Sequence, residues 1–228
     1  MAFNQIPAAY SFHLIMVFAY MQARGTSIPD DNLLQIVDSA VASAYARGDS
    51  HLACRPGCTQ CCHGVFPISQ QDAARLREAL ARLEHNDMER AARIRDRVAA
   101  SLERIVPLFP GDIATGILSS DYEDAPLFAD EDSIGDNELC PVLDPATGTC
   151  DLYEARPIVC RTFGPPMRTA DGDLATCELC FITASTEEIA ACELDPTIPA
   201  QEAASNEAYN AAHGVSGETI IAYALRGA

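Results

Sequence analysis

Residues 54–62 read Cys54-Arg55-Pro56-Gly57-Cys58-Thr59-Gln60-Cys61-Cys62, four cysteines in nine positions. Pro56 fixes its φ and Gly57 tolerates the left-handed region, so the stretch is a turn and not a helix interior. A tight turn can bring several thiols to one point, and thiolates are the natural donors for zinc and for iron–sulfur clusters. A small residue such as Gly57 also lets backbone N–H groups approach the sulfurs and stabilise their charge.

Working outward, the flanks predict helices. Residues 11–22 read as a first helix ended by Arg24-Gly25. Asp30 or Asp31 caps a second that runs to Arg47, with Leu33, Ile36, Val37, Ala40 and Val41 at helical spacing and Gly48 as its stop. Downstream, Ser69 with Asp72 forms a capping-box-like start. Leu76, Leu80 and Leu83 make one apolar stripe, Asn86-Asp87 a break, and Ile94, Val98, Leu102 and Ile105 a second stripe. This predicts two antiparallel helices with Glu78–Arg82 and Glu89–Arg93 as pairs one turn apart. The many arginines here read as a solvated face. Residues 107–139 predict a long acidic loop, residues 144–148 a turn, and residues 185–192, 199–212 and 216–225 three further helices. The expected fold is mainly α, with helices around an irregular cysteine-rich metal-binding centre. The expected organisation is an N-terminal helical part over 1–50, a cysteine-cluster metal-binding domain over 51–194 and a C-terminal helical extension over 195–228.

The chain has 228 residues, 48% of them hydrophobic, enough for a sizeable core without disulfides. Its net charge of −18 repels nucleic acid and anionic membranes, so neither is expected as a partner. All 15 basic residues are Arg, which excludes Schiff-base chemistry on lysine and a P-loop lysine. Tightly clustered cysteines, with no export signal read in residues 1–23, favour the cytoplasm over an oxidising compartment. The apolar run at residues 14–21 is short for a membrane span and suits a helix packed inside the chain or against a protein partner.

The cysteines resume at Cys140, Cys150, Cys160, Cys177, Cys180 and Cys192. Cys177-x2-Cys180 is a second short chelating pair. Cys140, Cys150 and Cys160 are too far apart to chelate alone and must fold back on the first cluster. Cys192, in Ala-Ala-Cys on a predicted helix, reads as a buried apolar residue. His51 and His63 flank the first cluster as alternative nitrogen donors. The adjacent Cys61 and Cys62 do not readily place both sulfurs on one metal, so one of them serves a second site or stays free. Zinc and an iron–sulfur cluster both satisfy the donor set.

The ordered string is Cys54-x3-Cys58-x2-Cys61-Cys62, then Cys140-Pro-x-Leu143, then Cys150-x-Leu-Tyr-x-x-Arg-Pro157-x-x-Cys160-Arg-x-Phe-Gly164. It resembles the bacterial, YkgJ-like cysteine-cluster family named CxxCxxCC, a zinc- or iron-chelating domain. The first gap holds three residues where the family name suggests two. The resemblance implies a metal centre on Cys54, Cys58, Cys61, Cys62, Cys140, Cys150 and Cys160, and it implies a metal more firmly than a reaction. Relatives of the cluster occur in a flagellin lysine methylase that carries an iron–sulfur centre. Beside the matched cysteines, Arg156 and Arg161 flank Cys160, where a guanidinium lowers thiol pKa and offsets cluster charge. Tyr153 and Phe163 shield the site or pack in the core.

Three function classes follow. The first is a metal protein with a structural, sensing or metal-handling role. The second is an iron–sulfur enzyme, methyltransferase-like or radical-type: Cys54-x3-Cys58-x2-Cys61 matches the radical S-adenosylmethionine spacing. Gln60 in place of an aromatic, and the lack of a repeated strand–helix pattern, weigh against a radical enzyme. No Gly-rich nucleotide loop supports a methyltransferase. The third class is an electron-transfer protein, which needs a protein partner.

Overall fold

The computed structural model describes residues 30–128, 135–169 and 172–227. The predicted first helix, and the partner contact assigned to it, lie outside the described residues. Seven α-helices order the described chain: α1 (Asp30–Gly48), α2 (Gln70–Asn86), α3 (Met88–Ile105), α4 (Ile158–Thr162), α5 (Thr186–Ala191), α6 (Ile198–His213) and α7 (Ile221–Ala224). Sheet is limited to three antiparallel hairpins of two-residue strands: β1 (Gly111–Asp112) with β2 (Ile117–Leu118), β3 (Leu143–Asp144) with β4 (Thr149–Cys150), and β5 (Met167–Arg168) with β6 (Leu174–Ala175). The fold is mainly α around an irregular cysteine-rich centre, as expected. None of the described helices is long and apolar enough to cross a membrane.

The helical hairpin α2–α3 forms where the apolar stripes predict it. Ser69 caps α2 by accepting a hydrogen bond from Asp72 N at 3.0 Å. Asp87 then ends α2 and caps α3, its carboxylate accepting from Arg90 N at 3.0 Å. Leu76, Leu80, Ile94 and Val98 interlock in the main core, which also takes in Val142, Leu143, Leu152, Ile221 and Leu225. A separate cluster joins Leu33 and Val37 of α1 to Ile158 of α4 and Ile198 of α6. Of the three predicted helices beyond residue 184, the first two form as α5 and α6. The third is cut to the four residues of α7, because Thr219 exchanges backbone hydrogen bonds with Ile68 (2.7 and 3.0 Å) and holds the chain extended.

The arginines of the hairpin form a solvated face only in part: Arg77, Arg82 and Arg93 are exposed, whereas others reach carboxylates elsewhere in the chain. Arg90, Arg97 and Arg104 recur every seven residues, nearly two turns, and so lie along one side of α3. Arg90 Nε and Arg97 Nη2 both reach the buried carboxylate of Asp151, each at 2.5 Å. Arg97 Nε also donates to Pro141 O at 2.8 Å, and Arg104 holds the buried Glu138 through two hydrogen bonds of 2.6 and 2.9 Å. On α2, Arg75 bridges Asp30 of α1, Asp72 and the Arg156 carbonyl. Of the expected one-turn pairs, Glu78–Arg82 stands at 3.6 Å on the surface. Removing one member of a buried ion pair costs about 3–5 kcal/mol, far more than an exposed pair is worth. The pairs that bind segment 138–158 to the hairpin therefore dominate the electrostatics of the fold.

Glu202 of α6 is half-buried near Asp72. Burial first, then the Asp72 charge, push its carboxyl up to about 7, with Arg75 opposing and Glu218 adding slightly. The folded state therefore holds this proton more tightly than the unfolded chain. The stability it contributes is present at low pH and lost as pH rises towards 7. Glu202→Gln should raise stability at pH 8 by about 1–2 kcal/mol after allowance for partial exposure, and change it little near pH 4.5. Urea midpoints at the two pH values check this; an equal gain at both would contradict it.

Candidate metal centre

All ten cysteines are free thiols. The turn at residues 54–62 is two turns in succession. In the first, Cys58 N donates to Arg55 O at 2.9 Å around Pro56 and Gly57, with Gly57 at φ +91° as the third position of a type II turn requires. In the second, a 3-10 turn over Gln60–Cys62, Cys62 N donates to Thr59 O at 2.8 Å. The two turns present their sulfurs to different neighbours, so the nine-residue stretch is shared between two groups of cysteines.

Cys54 and Cys58 join Cys177 and Cys180. Residues 177–180 form their own turn, with Cys180 N donating to Cys177 O at 2.8 Å. Ala53 N donates to Cys180 Sγ at 3.4 Å, and the charge of Cys54 acts on Cys180. Cys177 feels the charges of both Cys54 and Cys58. Gly164 closes this group from above: its carbonyl accepts from Cys177 N at 3.4 Å, and a Cβ placed on it would lie 2.8 Å from Cys54 Sγ. Phe181 locks the turn in place. It adopts φ +56°, an uncommon conformation for a bulky residue, and is held there by Phe181 N donating to His51 O at 2.7 Å and by its ring stacked 5.7 Å from the His51 imidazole. Cys192 is buried in the same cluster, as expected of an apolar residue.

Cys61 and Cys62 join Cys140, Cys150 and Cys160. Cys140 N donates to Cys62 O at 2.8 Å. Leu143 N donates to the Cys140 carbonyl at 3.0 Å, and the backbone N–H dipoles of Val142 and Leu143 near Cys140 and of Leu152 near Cys150 favour the thiolates. Strand pairing Leu143↔Cys150 sets the distance between those two cysteines. Cys160 sits in α4, whose Ile158 N is anchored on Asp72 at 3.3 Å.

The electrostatics differ within this second group. A hydrogen bond from the Cys62 thiol draws Cys61 down to about 6 against the burial that raises it, and Arg156 assists. Cys62, left with the proton, is raised. Burial pushes Cys140 up to about 12 and raises Cys150 and Cys160 as well. In the other group, burial pushes Cys180 up to about 11 and raises Cys177.

Arg156 lies 3.6 Å over the Tyr153 ring, and its charge favours the thiolates of Cys61 and Cys150. Arg161 is placed differently. It is buried, its guanidinium gripping Asp38 at 2.8 and 2.9 Å and donating to the carbonyls of Arg156 and Glu154. It positions the helix of Cys160 through α1. Tyr153 and Phe163 are both exposed and neither packs in a core. His51 faces Phe181, and His63 is exposed and pairs by its backbone with Leu139.

Three contributors escaped the sequence reading. Gly164 stood in the quoted motif, but its contact with Cys54 joins residues 110 apart. The Tyr45 phenol of α1 lies near Cys54 beside Gly164 and is raised, chiefly through burial and then through Cys54. Asp151 holds Cys150 against α3.

Among the described residues, no three His, Cys, Asp or Glu side chains are closed around one point in the geometry of a metal cage. The donor chemistry nevertheless fits a thiolate-bound metal: two groups of soft donors, a backbone N–H donating to sulfur, and a glycine that leaves room beside Cys54 Sγ.

The helical frame and the grouped thiols define a cysteine-rich chelating protein. The chain belongs to the CxxCxxCC family, described as a putative zinc- or iron-chelating domain, whose profile matches residues 53–180. That agrees with zinc or an iron–sulfur cluster as the cofactor, and the nine cysteines of the two groups all lie within the match. No curated protein and no solved structure matches the chain at a significant level.

Gly164→Ala should strain a φ of +120° and press a methyl onto Cys54 Sγ. Strain of about 1–3 kcal/mol that falls on the metal-bound form and is relaxed in the metal-free one corresponds to a loss of about five- to 150-fold in apparent zinc affinity. A competition titration against a chromophoric chelator measures it, with circular dichroism to show that the helices persist. Unchanged affinity would contradict the placement of Gly164 at the site.

Proposed function

We propose that the protein is a metal-binding module in which zinc or an iron–sulfur cluster, held by cysteine thiolates, acts as the structural crosslink of the irregular centre. The observation that supports this is the meeting of three distant chain segments, 54–62, 140–160 and 177–180, through their cysteines and not through regular structure. Between α3 and α6 the described residues hold two-residue strands, three-residue 3-10 turns and two helices of five and six residues. Such short elements are marginal by themselves, and closing long loops carries an entropy cost that a crosslink offsets.

The thiols of both groups are mostly raised, so metal uptake displaces protons. Affinity then increases with pH as the thiolates become available. A sensing or metal-handling role would draw on the same coupling. No Gly-rich nucleotide loop and no repeated strand–helix pattern supports an enzyme reading.

Anaerobic purification with metal analysis and a visible spectrum tests the proposal. Stoichiometric zinc in a colourless protein, or iron in a brown protein absorbing near ~400 nm, is expected, and chelation should lower the melting temperature by several degrees. Zinc would also sink the redox and radical readings. A metal-free protein whose melting is indifferent to chelator would overturn the proposal.

A further inference from the structure

The division of the cysteines reaches further than a single centre. We infer that the chain carries two separate metal sites: one on Cys54, Cys58, Cys177 and Cys180, the other on Cys140, Cys150, Cys160 and one sulfur of the Cys61–Cys62 pair. This rests on the metal-binding reading above and adds to it the number of sites and their ligands.

Four independent features carry the inference. The nine-residue stretch folds as two consecutive turns, each closed by its own hydrogen bond, Cys58 N to Arg55 O and Cys62 N to Thr59 O. The cysteines at the two ends of the stretch are backed by different partners, Ala53 N on Cys180 Sγ and Gly164 over Cys54 Sγ on one side and Cys140 N on Cys62 O on the other, while Gln60 between them donates to Glu178 at 2.7 Å. The apolar packing divides the same way. Cys54 packs with Cys177, Cys180, Phe181 and the helix-borne Cys192, whereas Cys62 and Cys150 pack with Cys140 on the main core. Finally, the count suits two sites. A tetrahedral or cubane centre takes four thiolates, so one centre would leave five of the nine grouped cysteines unused, whereas two leave one.

The vicinal pair explains the remaining thiol. Adjacent residues do not readily place both sulfurs on one metal. One sulfur ligates, and its neighbour stays as a hydrogen-bonding thiol against it.

Cobalt(II) titration of the metal-free full-length chain under anaerobic conditions reads the number of sites through thiolate-to-cobalt absorption. Wild type should saturate at two equivalents. Cys177→Ser with Cys180→Ser should saturate at one, and so should Cys140→Ser with Cys150→Ser, each keeping half the absorbance. Wild-type saturation at one equivalent, or loss of all binding in a double variant that still shows native circular dichroism, would overturn the two-site inference and leave the metal reading standing. No cobalt binding at all would overturn both. Should a double variant fail to fold, wild-type protein loaded with cadmium-113 gives the same count by nuclear magnetic resonance. Two resonances are expected from two sites, and one resonance contradicts them.

Discussion

The buried carboxylate of Asp151, gripped by Arg90 and Arg97, is the constraint on which the cysteine-rich centre depends. It follows Cys150 directly in the chain, so fixing Asp151 fixes one thiol. Arg97 extends the hold to the Pro141 carbonyl beside Cys140, and Arg104 to Glu138. One side of α3 thus presents three arginines at seven-residue intervals, and an irregular segment is tied down against them. Buried carboxylates require such pairing, because an unpaired charge in the interior costs several kcal/mol. Residues 111–155 carry 12 Asp and Glu and no Arg, and part of that acidity is internal: Glu138 and Asp151 hold the fold.

Most of the helical frame was legible in the sequence, and for a local reason. Apolar spacing and capping residues act within a few positions, so the α2–α3 hairpin, its break at Asp87 and the cap of α5 by Ser185 could be read directly. What failed to show was non-local. Arg90, Arg97 and Arg104 of α3 look like part of a solvated face when only neighbours one turn away are considered; their partners lie 34 to 61 residues downstream. The last helix was read too long because Thr219 pairs with Ile68, far earlier in the chain.

The site divides along the same line. Spacing singled out Cys54, Cys58, Cys61 and Cys62 and the Cys177–Cys180 pair, whereas Cys140, Cys150 and Cys160 entered through the family resemblance. Neither revealed which way each turn faces, and that direction separates Cys54 and Cys58 from Cys61 and Cys62. Arg156 acts on Cys61 and Cys150, not on Cys160, its neighbour in the sequence, which burial raises. Arg161, equally close in sequence, points to Asp38 instead, because the helical turn of α4 directs it to the opposite side. The two roles are separated by backbone conformation that residue type alone does not encode.

The energetics and the chemistry meet at the sulfurs. Buried thiols whose protons are held tightly are poor free nucleophiles, and they become thiolates when a metal replaces the proton. The central claim is accordingly that the metal has an all-sulfur environment. X-ray absorption at the edge of the metal carried by anaerobically purified protein measures this directly. The account predicts a first shell of sulfur alone, at about 2.3 Å if the metal is zinc. A first shell containing nitrogen or oxygen at about 2.0–2.1 Å would contradict it.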